Sequence, residues 1–176
     1  YYVAVGDSIT LAAGGRGFEP TLSDLLTNSK KFPATVANWG MGGATSAGGA
    51  KTISFTLSTV PRAKYFLVMY GTNDAYLTAP VSSGQGMKPG DPGYRGSYKD
   101  NLQRIVSAIL AVGKIPYLAK VPYATSASVD ISRIREYNVV VDELVAENKI
   151  AFTPPDFFAY FQKHPEEIPD GIHPNK

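Results

Sequence analysis

Residues 65–74 read Tyr-Phe-Leu-Val-Met-Tyr-Gly-Thr-Asn-Asp, an unbroken apolar and aromatic run that a glycine stops and small polar residues follow. A strand with one face in water alternates apolar with polar positions, whereas a strand covered on both faces does not. Residues 65–70 therefore predict a strand inside a parallel sheet, with Thr72, Asn73 and Asp74 just past its carboxyl end. The same pattern recurs outward along the chain. Residues 2–5 form an apolar run that leads into Gly6-Asp7-Ser8-Ile9-Thr10. A weaker run at 34–38 leads into Trp39-Gly40-Met41-Gly42-Gly43-Ala44-Thr45, and further runs lie at 115–121 and 150–153.

Helical periods fill the gaps between these runs. Residues 18–26 carry Pro20 near their start, where proline is tolerated, and Leu22, Leu25 and Leu26 at helical spacing. Residues 97–112 set Leu102, Ile105, Val106, Ile109 and Leu110 on one stripe, with Ser97 and Asp100 as a capping pair and Gly113 as the stop. Residues 130–148 repeat the stripe through Ile134, Tyr137, Val141, Leu144 and Val145, and 46–60 read as a helix whose period Gly, Thr and Ser blur. The alternation predicts a three-layer α/β/α sandwich in one domain spanning 1–176, with a five-stranded parallel sheet and right-handed crossovers. Residues 79–96 break the alternation. They are rich in Gly and Pro, and read as either a disordered insertion or a wall of a binding site.

Composition narrows the function. The 176 residues are 44% hydrophobic, enough for a buried core, and 18% charged, and the net charge of +2 gives no electrostatic footprint for nucleic acid. With no cysteine, a disulfide scaffold, a thiolate nucleophile and Cys-ligated metals are excluded. Two histidines, His164 and His173, exclude most multi-His metal centres. No apolar run approaches the roughly 20 residues of a membrane span. The chain opens at Tyr1 in a strand-like run with no charged-then-apolar leader, the expectation for a trimmed chain, and the lack of cysteine is compatible with export. A phosphate loop, a dinucleotide-binding glycine turn and a G-x-S-x-G elbow are all missing.

In an open parallel sheet, ligands bind outside the carboxyl ends of the strands. The polar clusters after the first three runs all fall there, joined by Asp170-Gly171-Ile172-His173-Pro174. A serine hydroxyl needs a base within hydrogen-bond reach. Ser8 is presented at the rim by the first strand, and the base is His173 or His164. Asp170 lies three residues before His173, spacing that lets a carboxylate hold Nδ1–H while Nε2 takes the proton of Ser8. The reaction also needs fixed donors for an oxyanion, and the Ser8 N–H, the Gly43 N–H and the Asn73 amide are available.

GDSIT at 6–10, NWGMGGATS at 38–46, GTND at 71–74 and DGIHPN at 170–175 resemble, in order and strand context, the four blocks of the SGNH (GDSL-type) esterase family. The resemblance implies a flavodoxin-like sheet with strand order 2-1-3-4-5. It also implies Ser8 as nucleophile and oxyanion donor, Gly43 and Asn73 as further donors, His173 as base and Asp170 as its orienting partner. Gly43 rather than Gly40 or Gly42 fills the family position before the small residue and Thr45. Such enzymes cleave acyl esters, thioesters or O-acetyl groups with no metal or cofactor, and some transfer the acyl group to another acceptor. Family members usually carry a further helix after the histidine block, whereas this sequence stops at Lys176: either the chain is clipped and lacks its C-terminal helix, or His173 is held less firmly than in the family.

The expected substrate is a small-molecule or glycan-linked ester with a short acyl group such as acetyl, given the long loop and the scarcity of large aliphatics around the blocks. Three rivals stand beside it: an acyltransferase on the same intermediate, a metallophosphoesterase using Asp7, Asn73, Asp74, Asp170 and His173, and a catalytically silent carbohydrate-binding relative. Asp7 and Asp74 read as braces of their turns, and His164 as part of a solvated loop. Trp39 reads as a core anchor or a pocket wall, and Tyr70, Tyr76, Tyr94 and Tyr98 as packing in preference to a sugar platform.

Overall fold

The computed structural model describes residues 1–12, 17–30 and 33–175. Four parallel strands, β1 (Tyr2–Gly6), β2 (Val36–Gly40), β3 (Tyr65–Met69) and β4 (Ile115–Leu118), lie in the order β2-β1-β3-β4. Val5 pairs with Trp39 on one side and Val68 on the other, which makes β1 a central strand. Its residues from Val3 to Gly6 are buried, as continuous apolarity predicts for a strand covered on both faces.

Helices α1 (Ser8–Leu11), α2 (Phe18–Lys30), α3 (Ser46–Thr59), α4 (Tyr98–Ala111), α5 (Ile131–Glu147) and α6 (Phe157–Lys163) connect and cover the sheet. Val3, Val5, Phe66, Val68 and Leu118 share one core with Ile53 of α3, Ile105 of α4 and Ile134 of α5. α2 and α6 border Leu67, Met69 and Tyr117 across an apolar cavity of about 400 Å³. In α4 the expected stripe is buried from Leu102 to Ile109, while Leu110 is exposed. The Ser97 hydroxyl accepts from Asp100 N at 3.2 Å, and the Asp100 carboxylate accepts from Gly96 N at 2.8 Å, so the capping pair forms. Gly113 stops the helix at φ +70°, with its N–H on Leu110 O.

Three expectations are corrected. Residues 150–153 do not form a fifth strand, so the described sheet has four. Ile150 N turns back to Val145 O, Pro154 and Pro155 have no N–H to offer a ladder, and the Phe152 ring stacks on Tyr117 at 3.8 Å instead. The second strand begins at Val36 rather than 34 and runs on to Gly40, because the register continues to the Gly6–Gly40 pair. Residues 79–96 are not a disordered insertion, and Val81 N donates to Asp74 O at 2.9 Å. They fold back on α4 and α5: Tyr98 N and Lys99 N donate to Ser82 O and Ser83 O, and Glu143 accepts from Gly86 N.

Candidate active site

Gly6 ends β1 where a Cβ would lie 2.1 Å from Thr10 Oγ1 and 2.4 Å from Met69 O, so only glycine lets the chain turn there. Asp7, not Ser8, is the N-cap of α1, and its carboxylate accepts from Ile9 N at 2.9 Å. Ser8 is thereby the first residue of a four-residue helix, where backbone N–H groups lack intrahelical partners. Burial, with the nearby Asp74 charge adding to it, pushes the Asp7 carboxyl up to about 6.

The C-terminal block closes on this turn. Asp170 Oδ1 accepts from Ile172 N at 2.9 Å and His173 N at 2.7 Å, while Oδ2 lies 2.7 Å from His173 Nδ1. The His173 backbone N–H first, and its imidazole next, hold the Asp170 carboxyl down to about 2. Gly171, at φ +82°, anchors the block by accepting Thr125 N and Ser126 N on its carbonyl. His173 Nε2 then lies 2.8 Å from Ser8 Oγ. With Nδ1 donating to the carboxylate, Nε2 accepts from the serine.

The middle blocks complete the rim. Gly43 sits at φ +71° with nothing within 4 Å of an added Cβ, so its backbone conformation, not space, calls for glycine. Asn73 is half-buried, and its Nδ2 donates to Ala44 O at 3.0 Å, which ties the block after β3 to the glycine turn and leaves the second amide N–H uncommitted. Asp74 is fully buried and accepts from Ser46 N at 2.9 Å and Ser46 Oγ at 2.5 Å. Asn101 Nδ2 donates to the same Ser46 hydroxyl at 3.0 Å. Tyr137 Oη lies 2.8 Å from Asp74 O and 2.7 Å from Val81 O, donating to one at a time. Ser46, Asn101 and Tyr137 brace the rim and were missed by sequence reasoning. In the sequence Tyr137 reads only as part of an apolar stripe and Ser46 only as the end of the glycine block, and nothing singles out Asn101, next to Leu102 at the edge of the α4 stripe.

Ser8, Asp170, His173, Gly43 and Asn73 all fall at this rim, whereas His164 stands apart, beside Glu166 and against the Tyr160 ring at 4.6 Å. His164, Glu166 and Glu167 have ligand atoms within 4.8 Å of one another, with His164 and Glu167 half-buried and Glu166 exposed. Of the metal-dependent rival's donors Asp7, Asn73, Asp74, Asp170 and His173, the three carboxylates and the imidazole are not gathered into such a group among the described residues. Tyr70, Tyr94 and Tyr98 are buried, and Tyr98 Oη donates to Tyr70 O at 2.7 Å, so they pack rather than form a platform. Among the described residues, no helix is long and apolar enough to cross a membrane.

A model of the GDSL-like Lipase/Acylhydrolase family matches residues 4–176. The chain belongs to that family. It is therefore a carboxylic-ester hydrolase by family. No curated protein sequence matches it significantly. Among solved structures, a lipase/acylhydrolase from Enterococcus faecalis is similar at 23% identity and TM-score 0.73, over 99% of this chain and 87% of that one. AlinE4, an SGNH-hydrolase family esterase, is similar at 21% identity and TM-score 0.69, over 94% of this chain and 80% of that one. The psychrotrophic esterase EstA from Pseudoalteromonas sp., in a structure inhibited by monoethylphosphonate, is similar at 16% identity and TM-score 0.69, over 99% and 87%. At these identities the likeness speaks to the fold of this GDSL-like chain and not to its substrate.

Proposed function

We propose that this GDSL-like hydrolase cleaves esters of short acyl groups, acetyl on a sugar or small alcohol among them, through an acyl-enzyme on Ser8. The observation that carries the reading is the unbroken relay from Asp170 Oδ2 to His173 Nδ1 at 2.7 Å and from Nε2 to Ser8 Oγ at 2.8 Å. Ser8 Oγ attacks the acyl carbon as its proton passes to Nε2. The carbonyl oxygen becomes an oxyanion, accepted by the Ser8 N–H, the Gly43 N–H and the free amide N–H of Asn73. Collapse breaks the bond to the alkoxy oxygen, which leaves with the proton held on Nε2. Water then repeats the sequence on the acyl-enzyme, with His173 again as base.

The preference for short acyl groups rests on the small and polar residues of the sequence blocks that follow β2 and β3: Gly42, Gly43, Thr72 and Asn73. The test is a rate panel of p-nitrophenyl esters from acetate to palmitate, run on the wild type and on Ser8→Ala. The expected result is a maximum at acetate or butyrate that vanishes in Ser8→Ala. Equal turnover by Ser8→Ala overturns the mechanism, and a maximum at palmitate overturns the substrate class.

A further inference from the structure

Behind the glycine turn lies a second cavity, of about 310 Å³, between the end of β2 and the first turns of α3. Trp39, Met41 and Phe55 form its mouth, with the Trp39 and Phe55 rings tilted at 6.5 Å and Phe55 67% exposed. Val5, Ile53, Ile105 and Tyr70 form its inner wall. Neither Ser8 nor His173 lines it, but Gly43 and Ala44 do, and Asn73 bonds the Ala44 carbonyl at 3.0 Å.

Two glycines open this space. Gly49 is demanded by packing, because its Cβ would lie 2.6 Å from the Tyr70 ring. Gly48 is not: an added Cβ would meet only Thr45 Oγ1, at 3.7 Å, an ordinary contact. Glycine in a helix is unfavourable relative to alanine by up to about 1 kcal/mol, yet at Gly48 the residue relieves no clash and leaves a hollow. On the inner wall, the Tyr70 side chain is only 6% exposed, and its hydroxyl makes no hydrogen bond to another described residue while staying open to the cavity, since it is not among the sealed, unpartnered polar atoms. Burial and the Asp7 charge push this phenol up to about 12, so at neutral pH it keeps its proton and can donate it to an acceptor in the cavity.

We infer that this cavity is a binding site for a compact, uncharged ring or branched chain that carries one hydrogen-bond acceptor, which takes the Tyr70 hydroxyl. An engineered apolar cavity of about 150 Å³ holds benzene, and ligand pockets begin near 300 Å³, so a substituted ring fits. The apolar walls disfavour a charged ligand, which would lose its hydration without a counter-charge. This inference does not depend on the role proposed for Ser8, since binding is read without turnover.

Trp39 is the only tryptophan of the chain, so its emission reports occupancy directly. The probes are tetrahydropyran, a ring ether that only accepts, and cyclohexane, its shape analogue without an acceptor. Titration is expected to give a saturable change in Trp39 emission with both probes. Tyr70→Phe weakens tetrahydropyran about 3- to 10-fold and leaves cyclohexane unchanged. Gly48→Leu, which fills the cavity from α3, abolishes both responses. If that variant does not fold, Thr52→Phe at the cavity wall does the same. Absence of a saturable response to either probe, or wild-type binding in the filled variant, overturns the site. Equal loss of both probes in Tyr70→Phe overturns the assigned donor.

Discussion

Ser8 has an ordinary alcohol for a side chain, and only its neighbours change what that alcohol can do. The imidazole 2.8 Å away gives its proton a destination, and Asp170 fixes which nitrogen receives it. In the proposed reaction Asn73 serves the other end of the developing charge. Asn73→Ala is expected to lower kcat roughly 10²–10³-fold with little change in KM, the signature of a donor used in the transition state. Steady-state kinetics on p-nitrophenyl acetate checks it. The buried Asp7 invites a stability experiment. Its carboxyl stands at about 6 against an ordinary 3.8, so between these values the unfolded chain has lost a proton that the folded one keeps. Stability therefore falls as pH rises through that window, by on the order of 3 kcal/mol at 1.36 kcal/mol per pH unit. Asp7→Asn keeps the acceptor for Ile9 N and removes the charge. Urea unfolding at pH 4 and pH 7 is expected to show the variant gaining on the wild type at the higher pH. Asp170 has the opposite sign: its contribution is complete above about 3.8 and fades as pH falls toward about 2. The rim residues were legible in the sequence because each stands just past an apolar run or in one short turn. Ser46 and Asn101 were not, because their hydrogen bond joins positions 55 residues apart.

At the scale of elements, the sequence located α3, α4 and α5 to within a residue or two, α4 and α5 by broad apolar stripes and α3 despite a period that Gly, Thr and Ser blur. It failed where backbone chemistry outweighed composition. Residues 150–153 have the apolar content of a strand, but two prolines follow and the backbone turns back on α5. α1 spans four residues and has no period to read, and its one signal is Asp7 as a cap. The glycines of α3 make the sharpest test at this scale. Gly48→Ala is expected to be neutral or to stabilise by up to about 1 kcal/mol, through helix propensity alone. Gly49→Ala drives its methyl into the Tyr70 ring and is expected to destabilise by roughly 1–3 kcal/mol. Thermal melts of the two variants separate these outcomes.

Across the whole molecule, the parallel sheet delivers four distant pieces of chain to a single rim. Ser8 and His173 are 165 residues apart and meet only because β1, β2 and β3 end side by side and the C-terminal block is pinned to the loop after β4 through Gly171. The strand order lost its expected fifth member without consequence for that rim, since every block except the last follows β1, β2 or β3. If Ser8 is the nucleophile as proposed, its reactivity exists only in the folded chain. The most direct measurement is labelling with a fluorophosphonate probe, mapped by peptide mass spectrometry. The expected result is one adduct, on Ser8, slowed by up to about 10⁴-fold in Asp170→Asn and absent from urea-unfolded protein. An adduct on another serine, or ester hydrolysis that continues while Ser8 stays unlabelled, would contradict the account.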